Sequence, residues 1–160
     1  MIMKKKILIP VILLIFIISN TLPAQILSVN DNVKGEIMKA LEQWNNTAKN
    51  SDLGGFMSLF DDSENIMVIG SDSGEVFKGK EQIKRWLTQL FDMASFSWEM
   101  DRIDIDYNEN TAWVFVEGRM VVAFKTGETK KTPYRFTGIM VRKGNDWKWR
   151  LFNGSSYKSE

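Results

Sequence analysis

The spacing of apolar residues along the chain changes once, and this change separates a helical part from a sheet part. Before residue 94, apolar positions recur every three or four residues, which is the pattern of amphipathic helices. From Phe96 onward they alternate with polar residues, as in strands with two different faces. Helices followed by strands predict an α+β domain, with the helices packed on one face of a strongly curved antiparallel sheet.

Three helices are predicted. The first runs from about Asp31, capped by Asn30 or Asp31 itself, to Lys49, and short and longer helices follow over 51–60 and 80–93. The apolar face of the first comprises Val33, Ile37, Leu41, Trp44 and Ala48. The apolar faces of the other two comprise Leu53, Phe56, Met57 and Phe60, then Ile83, Trp86 or Leu87, Leu90 and Met93.

The strands are predicted to form a short hairpin and then a long meander. A strand over 66–69, a turn and an arm at 76–77 precede the third helix, and long strands cover 96–107, 111–125, 132–143 and 147–155. A shift of apolar face near Asp101 indicates a bulge.

The strand beginning at Ala112 is apolar on both faces, with Val114 on one side and Trp113 and Phe115 on the other. One face is therefore expected to pack on the helices. The other is expected to pack on a second copy, which predicts a homodimer through the sheet.

The N-terminus has the three parts of a secretory leader. Lysines at 4–6 precede an apolar run over 7–18, which is shorter than the roughly 20 residues that span a bilayer. The small residue Ala24 suits the last position before cleavage. The sequence predicts a signal peptide over 1–24, a single domain over 25–160, and a periplasmic or secreted protein; an uncleaved anchor is the alternative.

Composition excludes several kinds of chemistry. The chain contains neither cysteine nor histidine, so disulfides, thiolate or imidazole metal sites and histidine bases are ruled out. With 21 Lys and Arg against 20 Asp and Glu, loss of the three leader lysines leaves a net charge of −2. We expect no nucleic-acid partner, no membrane association after cleavage, no metal and no cofactor.

The order and spacing of several segments resemble a known superfamily. These are a first helix ending in Trp44-Asn45, the run Phe56-Met57-Ser58-Leu59-Phe60, an Ile66–Gly70 strand, Gly74, Lys78-Gly79-Lys80 and a closing Trp147-x-Trp149-x-Leu151-x-Asn153-x-Ser155 strand. Together they resemble the nuclear-transport-factor-2-like (NTF2-like) superfamily, in its branch of SnoaL-like domains and of domain of unknown function 4440.

The resemblance implies a cone in which a curved sheet wraps three helices around a pocket. Members include ketosteroid isomerases, polyketide cyclases, dehydratases and many exported proteins without a known role, so the fold alone settles no function. Many relatives end in histidine, one residue and serine on the last strand. Here Asn153, Gly154 and Ser155 occupy those positions, which excludes a dehydratase mechanism that relies on histidine.

Aromatic residues supply most of the predicted pocket. Tryptophan offers large apolar area and an indole N–H, so the six tryptophans are either pocket walls or core and dimer interface. We expect Trp44 and Trp98 nearest any cavity and, by the resemblance, Asn153 at its mouth. Arg135 either meets an anionic ligand or pairs with Glu117 across the sheet. The predicted ligand pocket comprises Trp44, Phe56, Phe60, Trp86, Trp98, Trp113, Arg135 and Asn153.

Carboxylates supply the catalytic candidates. Asp104 and Asp106 share one strand face and are candidate bases, with Tyr107 or Tyr134 as a hydroxyl donor. The alternative is a solvated face with the neighbouring isoleucines turned inward. The loop 61–64 is rich in carboxylates, but it lacks calcium-loop spacing and is expected to be a helix end and turn.

Three functions follow from these candidates. The favoured one is binding of a small apolar ligand in the cone without catalysis. The second is an aspartate-based isomerase or cyclase acting on a small carbonyl substrate, and the third is a homodimeric interaction module whose cone is filled. A buried aspartate beside a tyrosine, an open apolar cavity or a solid tryptophan core would distinguish them.

Overall fold

The computed structural model of the chain describes residues 22–157, with side chains from residue 32 onward. It divides into two compact units, Met1–Asn32 and Val33–Glu160. The first unit contributes the beginning of the first helix, and the second contains the rest of that helix, the other helices, all the strands and every candidate site residue. Residues 1–21 of the predicted leader lie outside the described residues.

Three helices form in the described chain: α1 over Leu22–Lys49, α2 over Leu53–Ser58 and α3 over Lys80–Met93. The predicted start of α1 at Asp31 was wrong, because the helix already begins at Leu22. No glycine interrupts the intervening residues, and Pro23 is tolerated because it falls in the first turn, where its missing N–H is not needed.

The predicted helix faces are confirmed except at Met93, which is 57% exposed at the end of α3. Gly79, at φ 78°, precedes α3 in the left-handed region that favours glycine, and Asp52 caps α2 by accepting the Gly55 N–H at 2.9 Å. The buried helical residues are Val33, Ile37, Ala40, Leu41, Trp44 and Ala48 of α1, Phe56 of α2, and Ile83, Leu87 and Phe91 of α3.

Six strands form one curved, unclosed sheet in the order β2-β1-β6-β5-β4-β3. Their bounds are β1 Met67–Ile69, β2 Val76–Lys78, β3 Ala94–Asn108, β4 Thr111–Phe124, β5 Thr129–Lys143 and β6 Asp146–Ser156. The expected meander of four long antiparallel strands is confirmed. The sheet is not wholly antiparallel, because the meander brings β6 back beside β1 in the same direction.

The bulge predicted near Asp101 is confirmed as a shift in the β3–β4 register between Met100 and Arg102. Gly118 on β4 faces this point, where a Cβ would overlap the backbone carbonyl of Glu99. The absence of a side chain therefore lets the two strands approach closely where β3 bends.

The two faces of the sheet differ in burial as the alternation of β4 predicts. Ala112, Val114 and Val116 are buried against the helices, whereas Trp113 is 47% exposed on the opposite face. We refer below to the helix-covered side as the inner face and to the side of Trp113 as the outer face. The remaining buried apolar side chains on the inner face of the long strands are those of Ala94, Val122, Tyr134, Phe136, Met140, Trp147, Trp149 and Phe152.

Candidate functional site

A cavity of about 350 Å³ lies between the helices and the inner face of the sheet. This volume falls within the range of small-molecule sites. Its apolar lining consists of Trp44, Ala48, Phe56, Val68, Trp86, Leu87, Leu90, Phe91, Met93, Ala94, Phe96, Trp98, Met120, Val122, Phe124 and Phe152. Its polar side chains are Ser71, Asp72, Glu75, Lys130, Thr132, Tyr134 and Ser156.

Trp44 is the centre of the aromatic wall. Its ring centroid lies 4.0 Å from that of Phe56, 5.1 Å from that of Phe152 and 6.1 Å from that of Trp98. These spacings are typical of tilted and offset aromatic pairs, which contribute beyond their buried area. The wall is therefore rigid packing that joins α1, α2, β3 and β6.

Asn45, next to Trp44 on α1, holds the free edge of β3. Its Oδ1 accepts the backbone N–H of Trp98 at 2.8 Å, and its Nδ2 donates to the Trp98 carbonyl at 3.4 Å. Because β3 is an edge strand, these backbone groups have no strand partner, and the side-chain amide replaces one. The contact positions the Trp98 side chain in the cavity wall.

Tyr134 carries the most deeply buried hydroxyl of the lining, and the residue is 5% exposed. Burial, followed by the negative charge of Glu75, raises the pKa of Tyr134 to about 12, and a side-chain hydrogen bond from Ser71 opposes this only in part. The phenol is therefore neutral at physiological pH. It can donate one hydrogen bond and accept another in the cavity.

Glu75 is positioned by the turn between β1 and β2. Its Oε2 accepts the backbone N–H of Asp72 at 3.0 Å, and its backbone carbonyl accepts the N–H of Gly70 at 2.8 Å. A Cβ at Gly70 would overlap the Glu75 carboxylate. The glycine therefore allows this half-buried carboxylate to lie against the end of β1, among the cavity-lining residues.

Four of the predicted pocket residues line the cavity: Trp44, Phe56, Trp86 and Trp98. Phe60 does not, although it is 2% exposed, because it lies behind the wall with its ring 5.6 Å from that of Trp44. Its contribution is to the core.

Trp113, Arg135 and Asn153 lie on the outer face, so their predicted place in the pocket was wrong. Their inward-facing neighbours on the same strands, including Tyr134 and Phe152, are buried, and strand alternation turns these three side chains away. Arg135 approaches Ser155 Oγ at 3.4 Å and lies over the ring of Tyr157. The expected position of Asn153 at the pocket mouth followed from the resemblance and fails for the same reason.

Asp104 and Asp106 also lie on the outer face and are exposed. Asp104 pairs with Arg102 at 2.6 Å, and Asp106 accepts the backbone N–H of Tyr107 at 2.8 Å. Tyr107 packs against the core without lining the cavity. The solvated-face interpretation is therefore confirmed, and these residues form no acid–base site in the cavity.

The acidic loop after α2 forms ion pairs with the sheet. Asp61, 2% exposed, pairs with Arg150 and with Lys143 at 3.4 Å, and its Oδ1 accepts the Asp62 N–H. Burial raises the pKa of the Asp61 carboxyl, but these hydrogen bonds outweigh it and hold that pKa below the usual range. Among residues 22–157, no group of three or more acidic side chains is arranged to hold a metal ion.

Sequence reasoning did not place Tyr134 or Glu75 in the pocket. Tyr134 was named only as one of two possible hydroxyl donors. The signal that could have placed it in the pocket was its position two residues before the inward Phe136. For Glu75 the sequence contains no such signal, because it lies in a turn. In the part of the chain that the structure describes, no helix is long and apolar enough to cross a membrane.

The helices, the curved sheet and the cavity between them define a nuclear-transport-factor-2-like domain, and solved structures support this. A superfamily member from Salmonella enterica superposes with a TM-score of 0.71 at 17% identity, covering 81% of this chain and 94% of that one. A protein of unknown function from Pseudomonas putida gives 0.68 at 17% identity, covering 81% and 89%. A hexachlorocyclohexane dehydrochlorinase, LinA type 2, gives 0.67 at 10% identity, covering 81% and 88%.

The sequence itself assigns the family. The model of the SnoaL-like domain matches residues 37–156. The chain therefore belongs to the SnoaL-like family, and the resemblance to SnoaL-like domains of the NTF2-like superfamily and the α+β fold predicted from sequence are confirmed. No curated protein matches the chain.

Proposed function

We propose that this domain binds a small apolar molecule in the cavity beside Trp44 and Trp98. The observation that carries the proposal is an unfilled cavity of about 350 Å³ with a mainly aromatic and aliphatic wall. Transfer of an apolar ligand from water to a cavity with such a wall is favourable by about 25 cal/mol per Å² of buried apolar surface. Tyr134 and the polar groups near it would orient the bound molecule.

The other two hypotheses have less support. A filled cone would leave no cavity beside Trp44 and Trp98, whereas both residues line one. The aspartates considered as catalytic bases lie on the outer face. Binding therefore accounts for the arrangement of the inner face better than either alternative.

Calorimetric titration with naphthylmethanol, a neutral aromatic probe, tests the proposal. Leu90→Trp places a larger side chain at the lining and should weaken binding by at least about tenfold, because it occupies volume that the ligand would fill. Met38→Trp makes a similar change on α1 away from the cavity, where Met38 is 40% exposed, and should leave binding unchanged. No measurable binding to the wild-type chain, or equal binding by both variants, would contradict the proposal.

We further propose that two copies associate through the outer face. Trp113 pairs in register with Ile139, and Ile139 with Leu151, so three apolar side chains form one row across β4, β5 and β6. A two-fold axis would place this row against its own copy and cover it.

Export remains a proposal carried by the sequence of the leader. Cleavage after Ala24 would give a mature chain that begins at Gln25. N-terminal sequencing of the protein recovered outside the cytoplasm tests this, and a retained Met1 would contradict it.

A further inference from the structure

The polar side chains of the cavity carry more negative than positive charge. Asp72 and Glu75, both on the β1–β2 turn, contribute two carboxylates to the lining, and Lys130 at the beginning of β5 contributes one ammonium. No other ionisable side chain of the lining is charged near neutral pH, because the remaining one is the phenol of Tyr134.

The Glu75 carboxylate retains capacity to accept hydrogen bonds. Only its Oε2 has a hydrogen bond within the described structure, from the Asp72 backbone N–H. A carboxylate accepts about four hydrogen bonds, so a ligand can still donate to it. Its charge also contributes to the raised pKa of Tyr134, which places the carboxylate within electrostatic reach of the buried hydroxyl.

Aromatic rings line the same cavity as these two carboxylates. Trp86 and Phe96 line the same cavity, and Trp86 stacks on Phe77 with ring centroids 4.7 Å apart. Tryptophan faces attract cations, and the attraction is strongest where water is excluded. An organic cation would therefore meet carboxylates and ring faces together, whereas an anion would be repelled by both.

We infer that the ligand of this cavity is an arylalkyl or aliphatic amine, protonated near neutral pH, with its apolar body against the Trp44–Trp98 wall and its ammonium group beside Glu75, Asp72 and the Tyr134 hydroxyl. This inference rests on the proposed binding function and adds the chemical class of the ligand. The ammonium donates to the carboxylates and to the phenol oxygen. Lys130 opposes it and limits its affinity.

Three probes that share one ring system and differ in charge test the inference: naphthylmethylamine, naphthylmethanol and naphthylacetate. Calorimetry near neutral pH should show the amine binding about fivefold tighter than the alcohol, as expected for one partly exposed charge pair, and the carboxylate binding most weakly. Glu75→Gln should remove the preference for the amine while leaving the affinity for the alcohol unchanged, which also shows that the variant is folded.

Two further variants test whether charge in the cavity causes this preference. Lys130→Gln removes the opposing charge and should strengthen binding of the amine. Glu42→Gln removes an exposed carboxylate of α1 that does not line the cavity, and should change nothing.

The outcomes separate the two proposals. Equal affinity for the three probes, or preference for naphthylacetate, would overturn the amine assignment while leaving apolar binding intact. Binding of none of them would overturn both. An amine preference that survives in Glu75→Gln would overturn the role of Glu75.

Discussion

The hydroxyl of Tyr134 on β5 lies against the backbone of Gly154 on β6, in the space that a side chain at this position would occupy. A Cβ at Gly154 would overlap the phenol oxygen. Gly154 and Tyr134 are both buried, so a methyl group at Gly154 would have to displace the phenol ring. The glycine between Asn153 and Ser155 thus determines where the phenol hydroxyl of the cavity lies.

Gly154→Ala should therefore destabilise the domain, because the added methyl group displaces the Tyr134 ring. We expect a loss of about 1–3 kcal/mol in the free energy of unfolding, measured by urea denaturation. Gly35→Ala is the matched control. It lies on the exposed side of α1 with nothing near its Cβ and should stabilise the chain by about 0.5–1 kcal/mol. Equal effects of the two substitutions would contradict the prediction.

Ionisation of Tyr134 should couple stability to alkaline pH. The native pKa of about 12 exceeds the ordinary value of 10.0, so the folded chain retains a proton that the unfolded chain loses. The stabilisation of the folded chain by this proton is complete below the ordinary pKa of 10.0. It is lost as pH rises from about 10 towards 12, at no more than about 1.4 kcal/mol per pH unit.

Tyr134→Phe isolates that contribution, because other groups titrate equally in both chains. The unfolding free energy of wild type minus that of the variant should fall as pH rises through this window. A difference that stays constant with pH would show that the hydroxyl titrates normally.

Asp61→Asn should destabilise the domain by about 1–3 kcal/mol, because it removes a buried charge and leaves the guanidinium of Arg150 without its partner. Since the native pKa of Asp61 is lowered, the stabilisation is present above its ordinary pKa and is lost as pH falls through the native value.

Asp62→Asn is the comparison for this effect. Its side chain is 95% exposed and pairs with Lys80 at the surface, so no measurable change is expected in urea denaturation. If Asp61→Asn were equally silent, the buried ion pair would contribute nothing to stability.

Trp113→Glu should convert the proposed dimer to a monomer, because it places a charge at one end of the apolar row on the outer face. Light scattering at micromolar concentration should give a dimer mass for wild type and a monomer mass for the variant. Asn46→Glu, on the exposed side of α1, should leave the dimer intact. A monomer mass for the wild-type chain would overturn the proposed association.

Local pattern was sufficient to predict which segments form helices and strands. The bounds of α3 were predicted correctly, because Gly79 ends one element and the change of period after Met93 begins the next. The bulge in β3 was predicted from the shift of its apolar face near Asp101. In each case the physical cause acts within a few residues and is visible in the sequence.

Assignment to the pocket was less successful, and Trp98 and Trp113 show why. Both are tryptophans on strands whose flanking residues alternate, yet Trp98 lines the cavity and Trp113 lies 47% exposed on the outer face. A displacement of one residue exchanges the two faces. On β3 the bulge changes the face partway along the strand, and Asn45 then holds Trp98 at the cavity wall.

The sequence by itself determined the elements, the apolar side of α1 and the exclusion of cysteine and histidine chemistry. Only the tertiary structure decided that Glu75 and Tyr134 line the same cavity and that Asp104 and Asp106 face away from it. The physical reason is that these relations depend on the pairing of β1 with β6 and on the register of the meander. Such pairing joins residues far apart in the chain, and local periodicity contains no information about it.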